Sequence, residues 1–174
     1  MKKKMISYIL ALIVAGGIIS IDQYTKALAV ERLADSGNAQ PFIKGILEFS
    51  LIKNTGGAWG ILHDNTWILI SVTLVVTVVI VALLLKYGPG NKLVFWAATF
   101  VLGGGIGNMI DRIFKNGAVV DFLHFEFWKT FPTFNIADCA IVVGAALMVL
   151  YFMLDSIKEY KKRKIVKKDD NEDN

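Results

Sequence analysis

The sequence predicts an all-α membrane protein, a four-transmembrane-helix bundle with a small extracytoplasmic β-sheet and an interfacial segment. Hydrophobic residues make up 55% of the 174 residues and the mean hydropathy is +0.52, which is too apolar for an ordinary soluble domain. Four long stretches contain no charged residue, whereas the segments between them are polar. We therefore expect one integral membrane domain at residues 1–160 and a charged cytoplasmic tail at residues 161–174.

Each charge-free stretch predicts a transmembrane helix. The stretches cover residues 5–21, 65–85, 93–110 and 139–154. Because a helix rises about 1.5 Å per residue, about 20 residues cross the ~30 Å hydrocarbon core. The first and fourth stretches must borrow flanking residues, which gives spans at about 5–24, 65–86, 93–110 and 138–157. The first stretch runs into Asp22 instead of a small-residue cleavage site, which indicates an uncleaved anchor.

The distribution of Lys and Arg predicts the orientation. If both termini are cytoplasmic, twelve of these residues lie on the inner side and seven on the outer side. Short inner loops rich in cations are typical of the cytoplasmic face, so we expect both termini on the cytoplasmic side of the membrane. The net charge of +4 then reflects membrane topology and contact with anionic lipid, and it does not indicate a nucleic-acid partner.

The two outer segments, about 25–64 and 111–137, differ in character. Residues 45–54 alternate loosely between polar and apolar, which predicts a short half-buried strand of a small sheet. The second outer segment is rich in Phe and Trp, which favour the headgroup level, so it predicts the interfacial segment. The inner connection, 86–92, contains Gly-Pro-Gly and predicts a tight turn between antiparallel helices.

Polar clusters lie at the outer end of every predicted helix, so elements far apart in sequence deliver polar groups to one depth. This convergence predicts chemistry at the outer face. The clusters are Asp22 with Lys26, Asn54 with Gly56, Asn108 with Asp111 and Arg112, and Asp121 with Asn135 and Asp138.

Asp121 and Asp138 are the predicted catalytic pair, because carboxylates at the edge of hydrocarbon are costly and mark function. At ~4 Å and an effective dielectric near 20, two negative charges repel by about 4 kcal/mol, so one carboxyl stays protonated near neutral pH. Such a pair can activate water and stabilise an oxyanion. The alternative is that the two aspartates are unrelated helix-end residues, with Asp138 as an N-cap.

Other polar residues have simpler predicted roles. Asp22 and Lys26 stand four apart, as in a helical ion pair. Arg112 is expected to hold a carbonyl or a carboxylate, and Asp111 to face headgroups or to pair locally. Gly103 and Gly107 form a small-xxx-small face that lets two helices approach closely.

No metal site is predicted. His63, His124 and Glu126 lack the spacing of metal ligands.

Five motifs on four spans together resemble the lipoprotein signal peptidase family, also called signal peptidase II, the membrane aspartic peptidases of bacteria. The similarity extends to about Tyr160. The motifs are Asp22-Gln-Tyr-Thr-Lys26, Asn54-Thr-Gly-Gly-Ala-Trp-Gly60, Gly104-Gly-Ile-Gly-Asn-Met-Ile-Asp-Arg112, Val119-Val-Asp-Phe122 and Phe134-Asn-Ile-Ala-Asp138.

The resemblance implies an enzyme that removes the signal peptide from prolipoproteins and cuts on the N-terminal side of a cysteine carrying diacylglyceryl. It implies that Asp121 and Asp138 are catalytic, that no cofactor is needed, and that the cyclic peptide globomycin is an inhibitor. Asp22 and Lys26 match a structurally important pair. Positions that line or brace the family's site are matched by Asn54, Gly56, Asn108, Arg112 and Asn135. Trp59 stands where the family more usually has Phe. We expect a monomer surrounded by membrane lipid.

Two functions from other classes compete. A small proton-coupled transporter would use the aspartates as a relay, but such relays lie near the bilayer midplane, and the interiors of all four stretches are free of charge. A non-enzymatic assembly factor would use the Gly103 and Gly107 face to hold partner helices. That hypothesis leaves the converging Asn, Arg and Asp residues unexplained.

Overall fold

The computed structural model describes residues 2–34, 39–57 and 65–172, and these contain four long helices and three strands. Every one of the four helices is long and apolar enough to cross a membrane. The strands form one antiparallel sheet in the order β1-β2-β3. The predicted helical membrane bundle with a small sheet is therefore confirmed. The elements are α1 (Lys2–Leu33), β1 (Gln40–Ile43), β2 (Leu47–Asn54), α2 (Thr66–Tyr87), α3 (Lys92–Phe114), β3 (Val119–Phe125) and α4 (Ile136–Glu172).

Two helices continue past the predicted spans. α1 extends beyond residue 24 to Leu33 because its last turns bury Ala29 and Leu33 against Phe122 and Leu123 of the sheet. α4 remains helical through most of the predicted tail, as far as Glu172. We call the end of the bundle that carries the sheet the sheet end, and the opposite end the tail end.

The tail end contains the predicted tight turn, a single 3₁₀ turn at Gly88–Gly90 between α2 and α3. Gly88 has a φ of 62°, a left-handed conformation that glycine adopts without strain. The Tyr8 hydroxyl donates a hydrogen bond of 3.0 Å to the Leu84 carbonyl, so α1 fastens the end of α2. The Asn91 side chain accepts hydrogen bonds from the first backbone N–H groups of α3 and caps that helix.

The sheet combines a predicted strand with an unpredicted one. β2 coincides with the alternating stretch, but β3 carries five consecutive buried residues, so its sequence has no period of two. The backbone N–H groups of Phe122 and Leu123 also bond to the Phe134 carbonyl, which covers the far side of β3. Asp121 therefore lies on a strand, and its interpretation as a helix-end residue is wrong.

Aromatic rings cluster directly after β3, in the predicted interfacial segment. The rings of Phe127, Phe131 and Phe134 lie with centroids 5.0 to 5.3 Å from that of Phe125. Phe127 and Trp128 remain exposed at the surface of the sheet end. Large exposed rings at this position suit the headgroup region of a bilayer.

α3 is the central helix, because its glycines let two neighbouring helices approach closely. A Cβ on Gly103 would lie 3.1 Å from Ile18 of α1, and a Cβ on Gly107 would lie 2.8 Å from the Asp22 carboxylate. A Cβ on Gly104 would collide with the Ala137 carbonyl of α4. The predicted close approach of two helices is confirmed, and α3 makes it on two sides.

Replacing Gly104 with Ala is expected to lower the stability of the bundle by about 1–3 kcal/mol, since the added methyl group overpacks the α3–α4 contact. Gly105→Ala is the matched control, because its Cβ would meet nothing closer than a Thr73 methyl at 3.9 Å. Thermal unfolding in detergent measures both variants. Equal melting temperatures for the two variants would contradict the packing argument.

Candidate active site

Asp121 and Asp138 lie in one cavity of about 290 Å³ at the sheet end. Asp121 is the third residue of β3 and is 2% exposed, and Asp138 is half-buried in the first turn of α4. Asn54, Asn108 and Arg112 line the same cavity. The structure thus brings together residues from β2, α3, β3 and α4, as the convergence of polar clusters predicted.

Asn135 holds both carboxylates. Its side-chain amide donates a hydrogen bond of 2.6 Å to Asp121 Oδ1, and its backbone N–H donates one of 3.1 Å to Asp138 Oδ2. Its side-chain carbonyl in turn accepts from the Asp138 backbone N–H at 2.9 Å. Asn135 is therefore the N-cap of α4 and Asp138 its third residue, a reciprocal capping box. The interpretation of Asp138 as the N-cap itself is wrong.

Asn108 and Asn54 each supply a second amide donor to one carboxylate. Asn108 Nδ2 donates to Asp138 Oδ1 at 2.7 Å, and Asn54 Nδ2 donates to Asp121 Oδ2 at 2.9 Å. Asn108 Oδ1 accepts from the Asn135 amide at 3.1 Å, so the asparagines also hold one another. Each carboxylate is thus hydrogen-bonded through both oxygens, and its orientation is fixed.

Arg112 lines the same cavity and is held by Gly56. Arg112 Nη2 donates a hydrogen bond of 3.2 Å to the Gly56 carbonyl, which is the predicted carbonyl contact. The Gly56 backbone N–H donates to Asn54 Oδ1 at 2.9 Å and so orients that amide toward Asp121. Arg112 Nε is buried and has no hydrogen-bond partner within the described part of the chain. The Arg112 side chain therefore contains one buried donor without an acceptor in that part of the chain, in a residue that lines the cavity of the two carboxylates.

A buried ion-pair network lies behind the cavity. Lys26 and Asp22 are both fully buried, with Nζ and Oδ2 2.8 Å apart, which confirms the predicted helical pair. Lys26 Nζ also lies 3.1 Å from Asp111 Oδ2 and donates to Asn108 Oδ1 at 2.9 Å. One ammonium therefore neutralises two carboxylates and orients the asparagine that binds Asp138.

Asp111 is more important than the sequence suggested. Asp111 is fully buried, so the expectation that it faces headgroups is wrong. It does pair locally, with Lys115 four residues later, but it also makes other contacts. Asp111 Oδ2 accepts the Val120 backbone N–H at 3.0 Å and so fixes β3 one residue before Asp121. Gln23 donates to both Asp22 and Asp111. The sequence did contain one indication that Asp111 forms ion pairs: Asp111 and Lys115 are four residues apart, as Asp22 and Lys26 are.

Asp22 reaches a third element. Its Oδ1 accepts the Ala137 backbone N–H at 2.9 Å in the first turn of α4. A carboxylate at a helix N-terminus satisfies a donor that has no partner within the helix. The network consequently joins α1, α3, β3 and the start of α4 at the depth of the two cavity aspartates.

Electrostatics distinguish Asp121 from an ordinary aspartate. The pKa of Asp121 is raised from 3.8 to about 6, chiefly by burial and also by the negative charge of Asp138. The hydrogen bonds from Asn54 and Asn135 and the charge of Lys26 act against this shift. A carboxyl with this pKa holds its proton in a pH range where a solvent-exposed aspartate is ionised.

Other predicted residues lie elsewhere. His124 lies on β3 opposite Glu48 of β2, and its Nδ1 is buried with no partner among the described residues. Glu126 accepts the Gly45 backbone N–H. His63 and Trp59 lie outside the described residues. In residues 2–34, 39–57 and 65–172, no group of three or more His, Cys, Asp and Glu side chains could hold a metal ion.

The fold is that of a multi-pass helical membrane enzyme. Two solved structures, each described as a bacterial membrane enzyme, superpose with TM-scores of 0.77 and 0.71, and each is 28% identical in sequence. The first alignment covers 84% of this chain and 89% of the other, and the second covers 82% and 92%.

Sequence relatives identify the family. Residues 14–154 match the family described as Signal peptidase (SPase) II. A lipoprotein signal peptidase of Anoxybacillus flavithermus is 42% identical over 84% of each chain. One of Bacillus pumilus is 41% identical over 88% of this chain and 96% of its own. The chain belongs to the signal peptidase II family and is a membrane peptidase that acts on lipoproteins, which decides against the transporter and assembly-factor hypotheses.

Replacing Asn54 with Ala is expected to move the pKa of Asp121 above about 6, because the lost amide hydrogen bond stabilises the ionised carboxylate. Infrared absorption of the protonated carboxyl group across pH measures the midpoint, and Asp121→Asn identifies the band. Lys53→Ala is the control, since this neighbouring β2 side chain is exposed. A midpoint that falls or stays constant in Asn54→Ala would refute the assigned cause.

Replacing Lys26 with Met is expected to cost about 3–5 kcal/mol of stability, because the buried carboxylates of Asp22 and Asp111 lose their shared partner. Lys115→Met is the control. Its ammonium pairs with Asp111 but its side chain is 37% exposed, so we expect a loss below about 1 kcal/mol. Thermal unfolding in detergent compares the two, and equal losses would show that burial does not determine the effect.

Proposed function

We propose that this chain is an aspartic endopeptidase of the bacterial cytoplasmic membrane that removes signal peptides from diacylglyceryl-modified prolipoproteins. It cuts on the N-terminal side of the lipidated cysteine, and Asp121 and Asp138 activate the attacking water. The observation that carries this proposal is the binding of both carboxylates by Asn135 in one cavity, together with the pKa of about 6 at Asp121. Membership of the signal peptidase II family supports the substrate class.

The two carboxylates have different proposed roles. Asp138 lies in the first turn of α4, where the helix dipole favours a negative charge and the Asn135 backbone N–H donates to its Oδ2. Asp138 is therefore the ionised member and the general base. Asp121, with its pKa raised to about 6, is the member that carries the proton when the pair holds one. A dyad that shares one proton in this way suits water activation near neutral pH.

The proposed reaction follows from this asymmetry. As a water oxygen bonds to the scissile carbonyl carbon, Asp138 takes one proton from that water. The Asp121 hydroxyl donates a hydrogen bond to the carbonyl oxygen as negative charge develops there. The carbon–nitrogen bond then breaks, and the proton held by Asp138 passes to the departing amine of the lipidated cysteine. The signal peptide leaves with a new carboxyl group, which holds the second proton of the water until it ionises in solvent, and both aspartates regain their starting states.

The bracing residues support the same reaction. Asn54, Asn108 and Asn135 fix the carboxylates through N–H donors that do not themselves titrate near neutral pH. Arg112 is the proposed substrate-binding residue, since it lines the cavity and its positive charge attracts a carbonyl oxygen of the peptide. Gly56 acts through Arg112 and Asn54 and does not line the cavity. In the proposed topology both termini are cytoplasmic, and the sheet end faces outward.

A lipid-modified substrate accounts for the site's position. The diacylglyceryl group keeps the cysteine at the headgroup level, while the signal peptide remains in the hydrocarbon. The cavity that contains the two aspartates lies at the sheet end and is lined by Phe131, whose ring contacts that of the exposed Trp128. The scissile bond and the carboxylates consequently meet at one depth.

Replacing either Asp121 or Asp138 with Asn is expected to lower kcat by about 10²–10⁴-fold, the contribution of acid–base catalysis. Cleavage of a diacylglyceryl-modified prolipoprotein by purified protein in detergent is the measurement. Glu48→Gln is the control, because this β2 carboxylate lies outside the cavity. The proposal also expects the same rate with and without EDTA. Near-normal turnover by either Asn variant would refute the dyad.

A further inference from the structure

An apolar cavity of about 270 Å³ lies at the tail end, between α1, α2 and α3. It shares no described lining residue with the cavity of the two aspartates. We call it the tail cavity. Its walls include Tyr8, Ala11 and Ala15 of α1 and Phe95, Thr99 and Leu102 of α3.

The tail cavity suits hydrocarbon better than water. The Tyr8 hydroxyl donates to the Leu84 carbonyl at 3.0 Å, and the Thr99 hydroxyl donates to the Phe95 carbonyl at 2.9 Å, so both hydroxyl groups already have partners. Leu12 also lines the cavity and is 74% exposed, so the cavity opens at the surface of the bundle. Because an apolar space does not hold ordered water, an opening of this kind within a membrane admits an acyl chain.

Two cations stand directly beyond the tail cavity. Lys4 precedes Tyr8 by four residues on α1, and Lys92 precedes Phe95 by three residues on α3. Residues three or four apart share one face of a helix, so each lysine lies on the side of its helix that lines the cavity. Both side chains are exposed, and neither forms an ion pair among the described residues.

We propose that the tail cavity, together with Lys4 and Lys92, binds an anionic phospholipid. One acyl chain lies in the cavity, and the phosphate group lies beside the two ammonium groups. Charge complementarity favours this occupant over a lipid without net charge, which would use the cavity but gain less from the two cations. The tail cavity is separate from the aspartates, so this inference does not rest on the proposed function.

The positions along the helices agree with one bound lipid. From Tyr8 to Ala15 α1 rises about 10 Å, which accommodates part of one acyl chain lying along the helix. Both α1 and α3 begin at the tail end, so Lys4 and Lys92 lie at the same end of the cavity. Lys4 is about 6 Å beyond Tyr8 along its helix, and Lys92 is about 4.5 Å beyond Phe95. A headgroup at that end reaches both cations while its chain extends toward the middle of the bundle.

A bound chain is expected to stabilise the packing of α2. It would contact α1, α2 and α3 together, beside the Tyr8–Leu84 hydrogen bond that fastens the end of α2 to α1. Atoms that line an empty space lose dispersion contacts, and a chain in the cavity restores them. A ligand that binds only the folded protein raises its stability.

Thermal unfolding of the full-length protein in detergent tests the choice of lipid. Phosphatidylglycerol at about ten times its dissociation constant is expected to raise the melting temperature by about 3–6 °C. Phosphatidylcholine with the same acyl chains at the same concentration should give a smaller rise, because its headgroup has no net charge. Equal shifts with the two lipids would overturn the proposal.

The cations are tested by the double variant Lys4→Gln, Lys92→Gln. Its affinity for phosphatidylglycerol is expected to fall about 30-fold, since each lysine near an anionic headgroup contributes about fivefold. The lipid concentration at the half-maximal thermal shift and the number of lipids retained in native mass spectrometry are the measurements. Both side chains are exposed, so this variant is expected to fold.

The matched control removes two other charges from the tail end. The double variant Lys2→Gln, Lys158→Gln loses a lysine about 200° around α1 from Lys4 and another from α4, which supplies no described residue to the tail cavity. This control should bind phosphatidylglycerol nearly as well as wild type. Equal weakening in the two double variants would overturn the proposal, because it would indicate attraction to the overall charge of this end.

A second pair of variants tests the position of the acyl chain. Ala11→Leu fills the tail cavity and is expected to abolish most of the shift that phosphatidylglycerol causes, while cleavage activity remains. Ala146→Leu is the control, since Ala146 is an exposed residue of α4 that does not line this cavity. A full lipid-dependent shift in Ala11→Leu would overturn the assigned position. The two lysine variants decide the proposal if Ala11→Leu fails to fold.

Discussion

The ammonium of Lys26 is the constraint on which the polar end of this protein depends. It is fully buried and contacts Asp22 on its own helix, Asp111 on α3 and Asn108 on α3. Burying these charges separately would be very unfavourable, and together they are stable only when α1 and α3 hold one relative position. Gly107 permits that position because any side chain there would strike the Asp22 carboxylate. The network therefore fixes the arrangement of the helices as well as satisfying its own charges.

Two sets of hydrogen bonds connect the Lys26 network to the two cavity aspartates and fix their positions. Asp111 binds the backbone at Val120 and fixes the strand that carries Asp121. Asn108 accepts a hydrogen bond from Lys26 and donates one to Asp138, so Lys26 indirectly orients the Asp138 carboxylate. Asn135 then joins the two carboxylates at the start of α4. The two aspartates share one cavity, and the side-chain amides of neutral asparagines hold their carboxylates in place. The Lys26 ammonium binds Asn108 and not the carboxylates themselves, so their negative charges are incompletely neutralised. This arrangement leaves Asp121 with the raised pKa that the proposed acid–base chemistry requires.

Much of the site was predictable from the sequence because charged and polar residues show where the apolar membrane helices end. The four spans, the Asp22–Lys26 pair and the gathering of Asn54, Asn108, Asp121, Asn135 and Asp138 at one depth all follow from where polar residues interrupt apolar stretches. The capping box of Asn135 and Asp138 was present as a polar pair three residues apart before an apolar stretch, but the cap was assigned to the wrong member. β3 was not predicted because five consecutive buried residues carry no strand periodicity.

The sequence by itself determined the membrane bundle, its connections and the family, because hydrophobic length and local motifs are properties of short segments. Only the tertiary structure decided that Asp111 is buried against Lys26 and that one asparagine binds both carboxylates. Both depend on residues that are distant in the sequence: Asn135 and Asp121 are 14 positions apart, and Lys26 and Asp111 lie on different helices. The physical reason is that burial and hydrogen-bond geometry depend on how the helices pack, and helix packing is set by all the contacts together.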